Sequence, residues 1–215
     1  MMKLLVLGDS LSLPRIQPEF CAYEDTWPIL LKENFKVHQV SIGGGTITDI
    51  VRQVEYHKIF APDVVILQCG IVDCAPRALS MFELEFIKKL WGIRKILLPI
   101  IKKYSSKIRS LRNKTYTAPS EFKKSLARIK ETFPTCSILM IGILPPCKEY
   151  EKQVPGISLR INQFNALLRD QSVENFISMD RIDRSSIMSD FIHLNPSGQR
   201  FIYDKIVALL TTDRC

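Results

Sequence analysis

Short runs of apolar residues recur along the chain, separated by longer segments in which apolar residues follow helical spacing. Such runs, rich in valine, isoleucine and leucine, are typical of strands buried on both faces. They predict five strands, over Lys3–Leu7, Val37–Ser41, Val64–Gln68, Ile138–Ile143 and Phe176–Met179. The helical patterns between them cover Thr26–Asn34, Thr48–Tyr56, Ser120–Phe133, Ser158–Gln171 and a last helix that begins after Asn195-Pro196.

This alternation of strands and helices predicts an α/β fold with a five-stranded parallel sheet and helices on both faces. The 215 residues suffice for one well-filled core, so we expect a single domain over residues 1–215. In parallel sheets of this kind, ligands bind beyond the carboxyl ends of the strands. Residues that directly follow a strand are therefore the first candidates for chemistry.

The segment from about residue 79 to 119 is too long for an ordinary connection, and we interpret it as a mostly helical insertion. From Lys88 to Lys114 it carries ten Lys/Arg and no Asp or Glu, whereas the whole chain has a net charge of +8. An apolar face, interrupted by Pro99, runs between these charges through Ile93, Ile96, Leu97, Ile100, Ile101 and Tyr104.

Two interpretations of the basic insertion are compatible with each other. We favour a helical cap whose Ile/Leu face packs on the domain, over a helix that lies on an anionic membrane surface. A basic cap could also attract an acidic glycan or a lipid-linked intermediate that carries phosphate. Nucleic acid is not an expected partner, because the basic segment contains few aromatic residues and no recognition motif.

A candidate nucleophile follows the first predicted strand directly, in Gly8-Asp9-Ser10-Leu11. A serine on a sharp turn after a strand projects its hydroxyl at the rim of the sheet, and Gly8 permits the tight turn. Alone, the tetrapeptide is weak, since Gly-Asp-Ser is also common in turns and helix caps.

A candidate base lies near the other end of the chain, in Asp190-Phe191-Ile192-His193. A serine needs a base to take its proton, and an imidazole needs a carboxylate to fix its tautomer and stabilise its charged form. With Asp190 three residues before His193, one turn can supply both groups. Of the other two histidines, His38 falls at the start of a predicted strand and His57 ends a polar helix, so both are expected to be structural or solvated.

Together, Gly8-Asp9-Ser10-Leu11 and Asp190-x-x-His193-Leu194-Asn195-x-x-Gly198 resemble the SGNH (GDSL-type) hydrolase superfamily, in the correct order over nearly the whole chain. The resemblance implies a flavodoxin-like three-layer α/β/α sandwich. It also implies that Ser10 is the nucleophile, that His193 is the base, and that Asp190 orients the imidazole.

The same resemblance implies an oxyanion hole with three donors. The first is the backbone N–H of Ser10, and the second is a glycine after the second strand, for which Gly44 fits best because the usual pattern is Gly-x-Thr. The third is the asparagine of Gly-x-Asn-Asp after the third strand, but this chain has Gly70-Ile71-Val72-Asp73. Val72 has no side-chain donor, and losing one such donor typically costs about 10²–10³ in kcat.

Three interpretations of Val72 remain open. Another donor could replace the asparagine, such as the backbone around Val72, the Asp73 region or Arg77; the site could catalyse a less demanding transfer slowly; or it could be a degenerate binding module. Asp9, Gly45, Asp73 and Arg77 are candidate substrate contacts. The variant motif resembles a divergent branch associated with bacterial surface-polysaccharide gene clusters.

The sequence indicates no cofactor and no metal site. Dinucleotide, Walker and His-Glu-x-x-His motifs do not occur, and the six cysteines (Cys21, Cys69, Cys74, Cys136, Cys147 and Cys215) are scattered without Cys-x-x-Cys spacing. The N-terminal apolar run, Leu4–Leu7, is too short for a signal peptide and no cleavage site follows it. We therefore expect a cytoplasmic protein, with peripheral membrane association through the insertion as the alternative.

The leading hypothesis is a serine esterase, an O-deacetylase of an acylated sugar or other small ester, which works through an acyl-enzyme. An O-acyltransferase in polysaccharide biosynthesis could use the same acyl-enzyme, with a sugar hydroxyl in place of water. A non-catalytic carbohydrate-binding module is the third hypothesis. The sequence does not identify the ester, the acceptor or the oligomeric state.

Overall fold

The computed structural model describes residues 1–172 and 175–212. Five parallel strands form one sheet in the order β2-β1-β3-β4-β5. Their bounds are β1 Lys3–Gly8, β2 Lys36–Ser41, β3 Val64–Gln68, β4 Ser137–Ile141 and β5 Phe176–Ile177. The predicted five-stranded parallel sheet is therefore confirmed.

Helices cover both faces of this sheet. Their bounds are α1 Trp27–Leu30, α2 Ile47–Gln53, α3 Ile71–Cys74, α4 Met81–Lys89, α5 Arg94–Lys103, α6 Ser105–Arg112, α7 Pro119–Thr132, α8 Lys148–Gln153, α9 Ile157–Gln171 and α10 Pro196–Thr212. Alternate residues of the central strands point to opposite faces, as the two-residue period of a strand requires. Leu5 and Leu7 pack in one apolar core with α2, α7 and α9, whereas Leu4 and Val6 pack in another with α1 and α10. The result is the predicted flavodoxin-like three-layer sandwich.

The register of the sheet brings the first three strand ends to one place. Gly8 at the end of β1 pairs with Ser41 at the end of β2 and with Gln68 at the end of β3. The loops that follow these strands therefore leave the same edge of the sheet side by side. They are the loops with Ser10, the three glycines and the Gly-Ile-Val-Asp segment.

Two strands are shorter than predicted, and side chains explain both differences. β4 ends at Ile141 instead of Ile143, because the Asn165 side chain accepts from the backbone N–H of Ile143 at 2.8 Å and donates to its carbonyl at 3.0 Å. β5 ends at Ile177 instead of Met179, because Ser178 and Asp180 bond to each other in a local turn. In each case a side chain replaces a strand partner for the backbone.

The predicted insertion contains α4, α5 and α6. A two-residue antiparallel pair, Arg77 with Lys114, closes its base, and the Arg112 guanidinium bonds the Glu83 carboxylate at 2.6 Å near the start of α4. The expectation that the Ile/Leu face packs on the domain is wrong, because neither α5 nor α6 contains a buried residue. These helices contact one another and α4, and Arg109 on α6 donates to the carbonyl of Gln153 at 3.0 Å. Ile93, Ile96 and Ile100 are exposed, whereas Leu97, Leu98 and Ile101 are half-buried.

No helix within residues 1–172 and 175–212 combines the length and the hydrophobicity that crossing a bilayer requires.

Candidate active site

Ser10 lies at the carboxyl end of β1, where the backbone turns sharply into a short 3₁₀ turn over Ser10–Ser12. Asp9 caps this turn, because its Oδ1 accepts from the N–H of Leu11 at 2.9 Å. A side chain at position 8 would collide with Ser12 Oγ, so the close approach requires Gly8. The local sequence thus holds the half-buried Ser10 at the rim of the sheet.

The loop with Asp190 and His193 is organised by the aspartate itself. Asp190 Oδ1 accepts from the backbone N–H groups of Ile192 and His193 at 3.1 and 3.0 Å, and Oδ2 accepts from the ring Nδ1 of His193 at 2.5 Å. Phe191, at the centre of the turn, has a left-handed backbone with φ of +68°. Burial raises the pKa of Asp190, but the hydrogen bonds from His193 and Ile192 outweigh burial and lower this pKa to about 2. The carboxylate is therefore ionised at neutral pH.

The structure brings the three predicted catalytic residues together. Ser10 Oγ lies 3.1 Å from Nε2 of His193, although the two residues are 183 positions apart. Because Nδ1 of His193 donates to Asp190, Nε2 carries the lone pair that can accept a proton from the hydroxyl. Hydroxyl, imidazole and carboxylate thus form the chain of contacts that nucleophilic catalysis by serine requires.

Arg15 also lies at this site, and sequence reasoning missed it. Its Nη2 lies 2.5 Å from Nε2 of His193, the same nitrogen that faces Ser10. The contact joins residues 178 positions apart. No motif surrounds Arg15 that could have revealed it.

The backbone N–H groups of Ser10, Gly43, Gly44 and Val72 have no acceptor in the described part of the chain. Gly44 is exposed and has a left-handed backbone with φ of +70°, which favours glycine. The N–H of the buried Gly45, by contrast, donates to the carbonyl of Ile42 at 3.0 Å. Of the two glycines, only Gly44 can therefore offer its N–H to a ligand.

Val72 is half-buried on α3, and Arg77 is committed elsewhere. Nη2 of Arg77 donates to the carbonyl of Val72 at 3.0 Å, and its guanidinium lies 4.4 Å from the centre of the Tyr116 ring. Arg77 thus joins α3 to the closing residues of the insertion. These contacts favour a structural role for Arg77 over replacement of the missing asparagine.

Two buried carboxyl groups lie behind the site. Burial raises the pKa of Asp73 to about 6, although its oxygens accept from Thr117 Oγ at 2.5 Å and from the N–H of Ile47 at 3.1 and 3.2 Å. Burial also raises the pKa of Asp9 to about 7, and its Oδ2 has no hydrogen-bond partner among the described residues. Asp9, Gly45 and Asp73 are inaccessible to a substrate, so they support the loops from within.

The buried Asp9 predicts an unusual dependence of stability on pH. The folded protein binds a proton at Asp9 up to about pH 7, whereas the unfolded chain releases it near the ordinary value of 3.8. Between these values the folded state binds more protons, so the free energy of unfolding falls as the pH rises. The difference between a pKa of about 7 in the folded protein and 3.8 in the unfolded chain corresponds to about 4 kcal/mol of unfolding free energy.

Urea unfolding at pH 5 and pH 8 tests this effect with Asp9→Asn, which keeps the acceptor for the N–H of Leu11. We expect the variant to lose less stability than the wild type between the two pH values. Identical losses would show that Asp9 is ionised in the folded protein.

Other polar clusters lie outside the catalytic edge. His38 Nε2 and His57 Nδ1 are 3.0 Å apart, half-buried and away from Ser10, in keeping with structural roles. No metal-binding group of three or more His, Cys, Asp or Glu side chains occurs within residues 1–172 and 175–212. Five cysteines are free thiols, and Cys215 lies outside the described residues. A cavity of about 680 Å³ lies beside β5, where Phe176, Arg181 and Lys205 line it.

The sequence is similar to a known protein family over most of its length. The profile of the GDSL-like lipase/acylhydrolase family matches residues 6–201, which includes Ser10, Asp190 and His193. The chain belongs to this family. No curated protein matches the sequence.

Solved structures of GDSL-type proteins share the fold of this GDSL-family chain. A lipase/acylhydrolase from Enterococcus faecalis superposes with a TM-score of 0.64 at 13% identity, over 99% of this chain and 95% of that protein. The psychrotrophic esterase EstA from Pseudoalteromonas sp., in a structure inhibited by monoethylphosphonate, superposes with a TM-score of 0.62 at 16% identity, over 99% of this chain and 98% of that protein. A member of the lipolytic G-D-S-L family from Veillonella parvula superposes with a TM-score of 0.59 at 15% identity, over 98% of this chain and 99% of that protein.

Proposed function

We propose that this GDSL-family protein is a serine esterase that removes a short acyl group, such as acetyl, from an alcohol or sugar. The observation that carries the proposal is the contact chain from Ser10 Oγ through the imidazole of His193 to the carboxylate of Asp190. Family membership supports an acylhydrolase, and one structural relative, EstA, is an esterase inhibited by a phosphonate.

In the proposed reaction, Ser10 Oγ attacks the ester carbonyl while Nε2 of His193 takes the hydroxyl proton. The oxyanion receives hydrogen bonds from the N–H groups of Ser10 and Gly44. His193 then gives the proton to the departing alkoxide, which leaves Ser10 acylated. A water molecule attacks the acyl group in the second half, and the same imidazole moves its proton to Ser10.

The preference for a short acyl group rests on a small apolar cavity that is lined by the chain neighbours of Ser10 and His193, although not by these two residues themselves. An apolar cavity next to the catalytic edge offers only about 10 Å³, which is room for about one water molecule. Its lining includes Leu11, Ile71, Tyr150, Phe191 and Ile192, so residues that flank Ser10 and His193 enclose it. A methyl group fits such a space, whereas a long acyl chain would have to displace these side chains.

Hydrolysis of p-nitrophenyl acetate, hexanoate and decanoate by the purified chain tests the proposal. We expect the highest kcat/KM for acetate, with a decline of at least tenfold to decanoate. Equal or rising activity along the series would contradict the short-acyl proposal.

The fate of the acyl group separates hydrolysis from transfer. We expect free acetate as the product, with a rate that does not rise when neutral sugars are added as acceptors. Acetylated sugar as the main product would identify an O-acyltransferase instead. If the protein neither hydrolysed the esters nor reacted with a fluorophosphonate, the remaining hypothesis would be a non-catalytic carbohydrate-binding module.

A further inference from the structure

Arg15 is a cation at the reaction centre without an ion-pair partner among the described residues. Its Nη2 lies 2.5 Å from Nε2 of His193, which also lies 3.1 Å from Ser10 Oγ. A neutral imidazole nitrogen has one lone pair, so the guanidinium and the hydroxyl compete for a single acceptor. The other side-chain hydrogen bond of Arg15 runs from its Nη1 to the carbonyl of Gln17 at 3.2 Å.

This contact is incompatible with the catalytic step. While Arg15 occupies Nε2, the imidazole cannot take the proton of Ser10. Proton transfer would also place an imidazolium beside a guanidinium, and like charges repel. Arg15 therefore has to leave Nε2 before the ester can react.

The loop with Arg15 lets the side chain move while the backbone stays in place. Arg15 and Cys21 exchange backbone hydrogen bonds at 2.9 and 2.8 Å, which closes the loop. The Glu19 carboxylate at its tip accepts from the N–H of Ser189 at 3.0 Å, which attaches the loop to the segment before Asp190. A displacement of the guanidinium from Nε2 would therefore involve the side chain of Arg15 and not the backbone of its loop.

We propose that Arg15 binds an anionic group, a carboxylate or a phosphate, on the alcohol part of the substrate. The inference rests on the proposed esterase function. His193 protonates the leaving oxygen, so that oxygen must lie next to Nε2, and a charged group near it is within reach of Arg15. A guanidinium bonds carboxylate and phosphate through two N–H groups. The substrate anion thus draws Arg15 from Nε2 and frees the base.

A matched pair of esters tests this inference, namely 3-acetoxybenzoate and its uncharged methyl ester. We expect wild-type kcat/KM to favour the anionic ester over the methyl ester, and Arg15→Gln to reduce that preference by about 10- to 100-fold, the value of a charge-assisted hydrogen bond. Arg15→Lys should retain part of the preference. On the methyl ester, Arg15→Gln should exceed the wild type, because the guanidinium then no longer occupies Nε2 of His193.

Controls separate this inference from the esterase proposal. Arg200→Gln, a change at an exposed arginine on α10, should leave the preference unchanged. An equal loss on both esters in Arg15→Gln, or an unchanged preference, would overturn the anion site. Persistence of activity in Ser10→Ala would instead refute the esterase proposal. A parallel measurement with 3-acetoxyphenyl phosphate shows whether Arg15 favours phosphate or carboxylate.

An independent observation concerns the insertion. Aromatic and aliphatic side chains form an exposed surface on α4, α5 and the turn between them, which we call the α4–α5 surface; it consists of Phe82, Phe86, Trp91, Ile93, Ile96 and Ile100. Phe82 and Phe86 are four residues apart, so they share one face of α4. Trp91, in the turn, has 82% of its area exposed. Exposed apolar patches that polar residues surround mark interaction sites.

Positive charges flank this surface. Lys89, Arg94 and Lys95 lie on either side of Trp91, and from Lys88 to Lys114 no acidic residue interrupts the ten basic ones. Lys88 is paired with Glu85 on α4 at 2.8 Å. Tryptophan is enriched at membrane interfaces, and basic residues are attracted to anionic lipid headgroups. A protein partner would be expected to present acidic groups in matching positions, whereas an anionic bilayer needs no such match.

We infer that the α4–α5 surface binds anionic lipid bilayers, with Trp91 at the headgroup level. The chain contains two tryptophans, and Trp27 is fully buried, so a change in fluorescence on binding reports on Trp91. With vesicles of phosphatidylcholine and phosphatidylglycerol at 7:3, we expect a blue shift and flotation. Both should weaken in 0.5 M NaCl and with pure phosphatidylcholine, because the attraction is screened or removed.

Substitutions on and off the surface test the assignment. Trp91→Ser should weaken partitioning at least tenfold, and the double change Lys89→Gln and Lys95→Gln by about 30-fold. Ile59→Ser, at an equally exposed apolar residue, and the pair Lys123→Gln and Lys124→Gln on α7 should have no effect. Equal binding by all variants would overturn the proposal, as would concentration-dependent dimers that require Trp91 in the absence of vesicle binding.

Discussion

Replacing Ser10 by alanine is expected to lower kcat for p-nitrophenyl acetate by about 10³–10⁶, to the residual level that a triad enzyme keeps without its nucleophile. His193→Gln should cost a similar factor, because the Ser10 hydroxyl then has no base at 3.1 Å. Ser10→Ala should fold normally, since Ser10 is only half-buried and the helix, strand and core contacts do not depend on its hydroxyl. His193 is buried, so the urea unfolding of His193→Gln is measured beside its rate. Initial rates with the three purified proteins measure the effect.

The double variant gives a sharper result than either single change. Residues that act as one unit are not additive, so Ser10→Ala with His193→Gln should be no slower than Ser10→Ala alone. Ser189→Ala is a matched control, because Ser189 is an exposed serine in the loop that also holds Asp190 and His193. Only the backbone N–H of Ser189 bonds Glu19, so the change leaves that contact intact. Multiplicative losses in the double variant would mean that the two residues act separately.

Replacing Val72 by asparagine is expected to raise kcat, by up to about 10². Val72 stands where the family pattern has an oxyanion donor, on a helix that starts beyond the end of β3. Of the side chains that could have replaced this donor, Arg77 bonds the carbonyl of Val72 and packs on Tyr116, and Asp73 is buried. The buried Nε of Arg77 has no hydrogen-bond partner among the described residues. An asparagine would add an N–H donor without a change in backbone.

The control for this gain is Val72→Leu, which has nearly the shape of asparagine but no donor. We expect Val72→Leu to match or fall below the wild type while Val72→Asn exceeds it, with KM little changed, because the added bond forms in the transition state. Equal rates in the wild type and Val72→Asn would show that another group already completes the oxyanion hole.

The sequence allowed most of the fold to be predicted because the strands are buried on both faces. Continuous Val, Ile and Leu runs located all five strands, and the helical spacing of apolar residues located α7, α9 and α10. Strand ends were less accurate where a side chain such as that of Asn165 intercepts the backbone. That contact is between distant residues, and local patterns do not record it.

The sequence likewise indicated only some residues of the candidate site. Ser10, Asp190 and His193 could be identified because their motifs are local and have a fixed order along the chain. Arg15 could not, because only the folded loop brings it to His193. Burial could not be predicted either, because the apolar spacing of α5 is the same whether its face packs on the domain or lies in solvent. The sequence likewise does not show that Asp9 is buried, although Ser10 beside it lies at the rim of the sheet.

The most direct test of the account is covalent labelling of Ser10. With a fluorophosphonate at neutral pH, we predict one phosphonyl adduct per chain, carried by the peptide that contains Ser10 and absent from Ser10→Ala. Labelling should be about 10³-fold or more slower in His193→Gln, because the hydroxyl then lacks its base. An adduct on a different residue, or labelling at an undiminished rate in His193→Gln, would contradict the proposal that Ser10 is a nucleophile activated by His193.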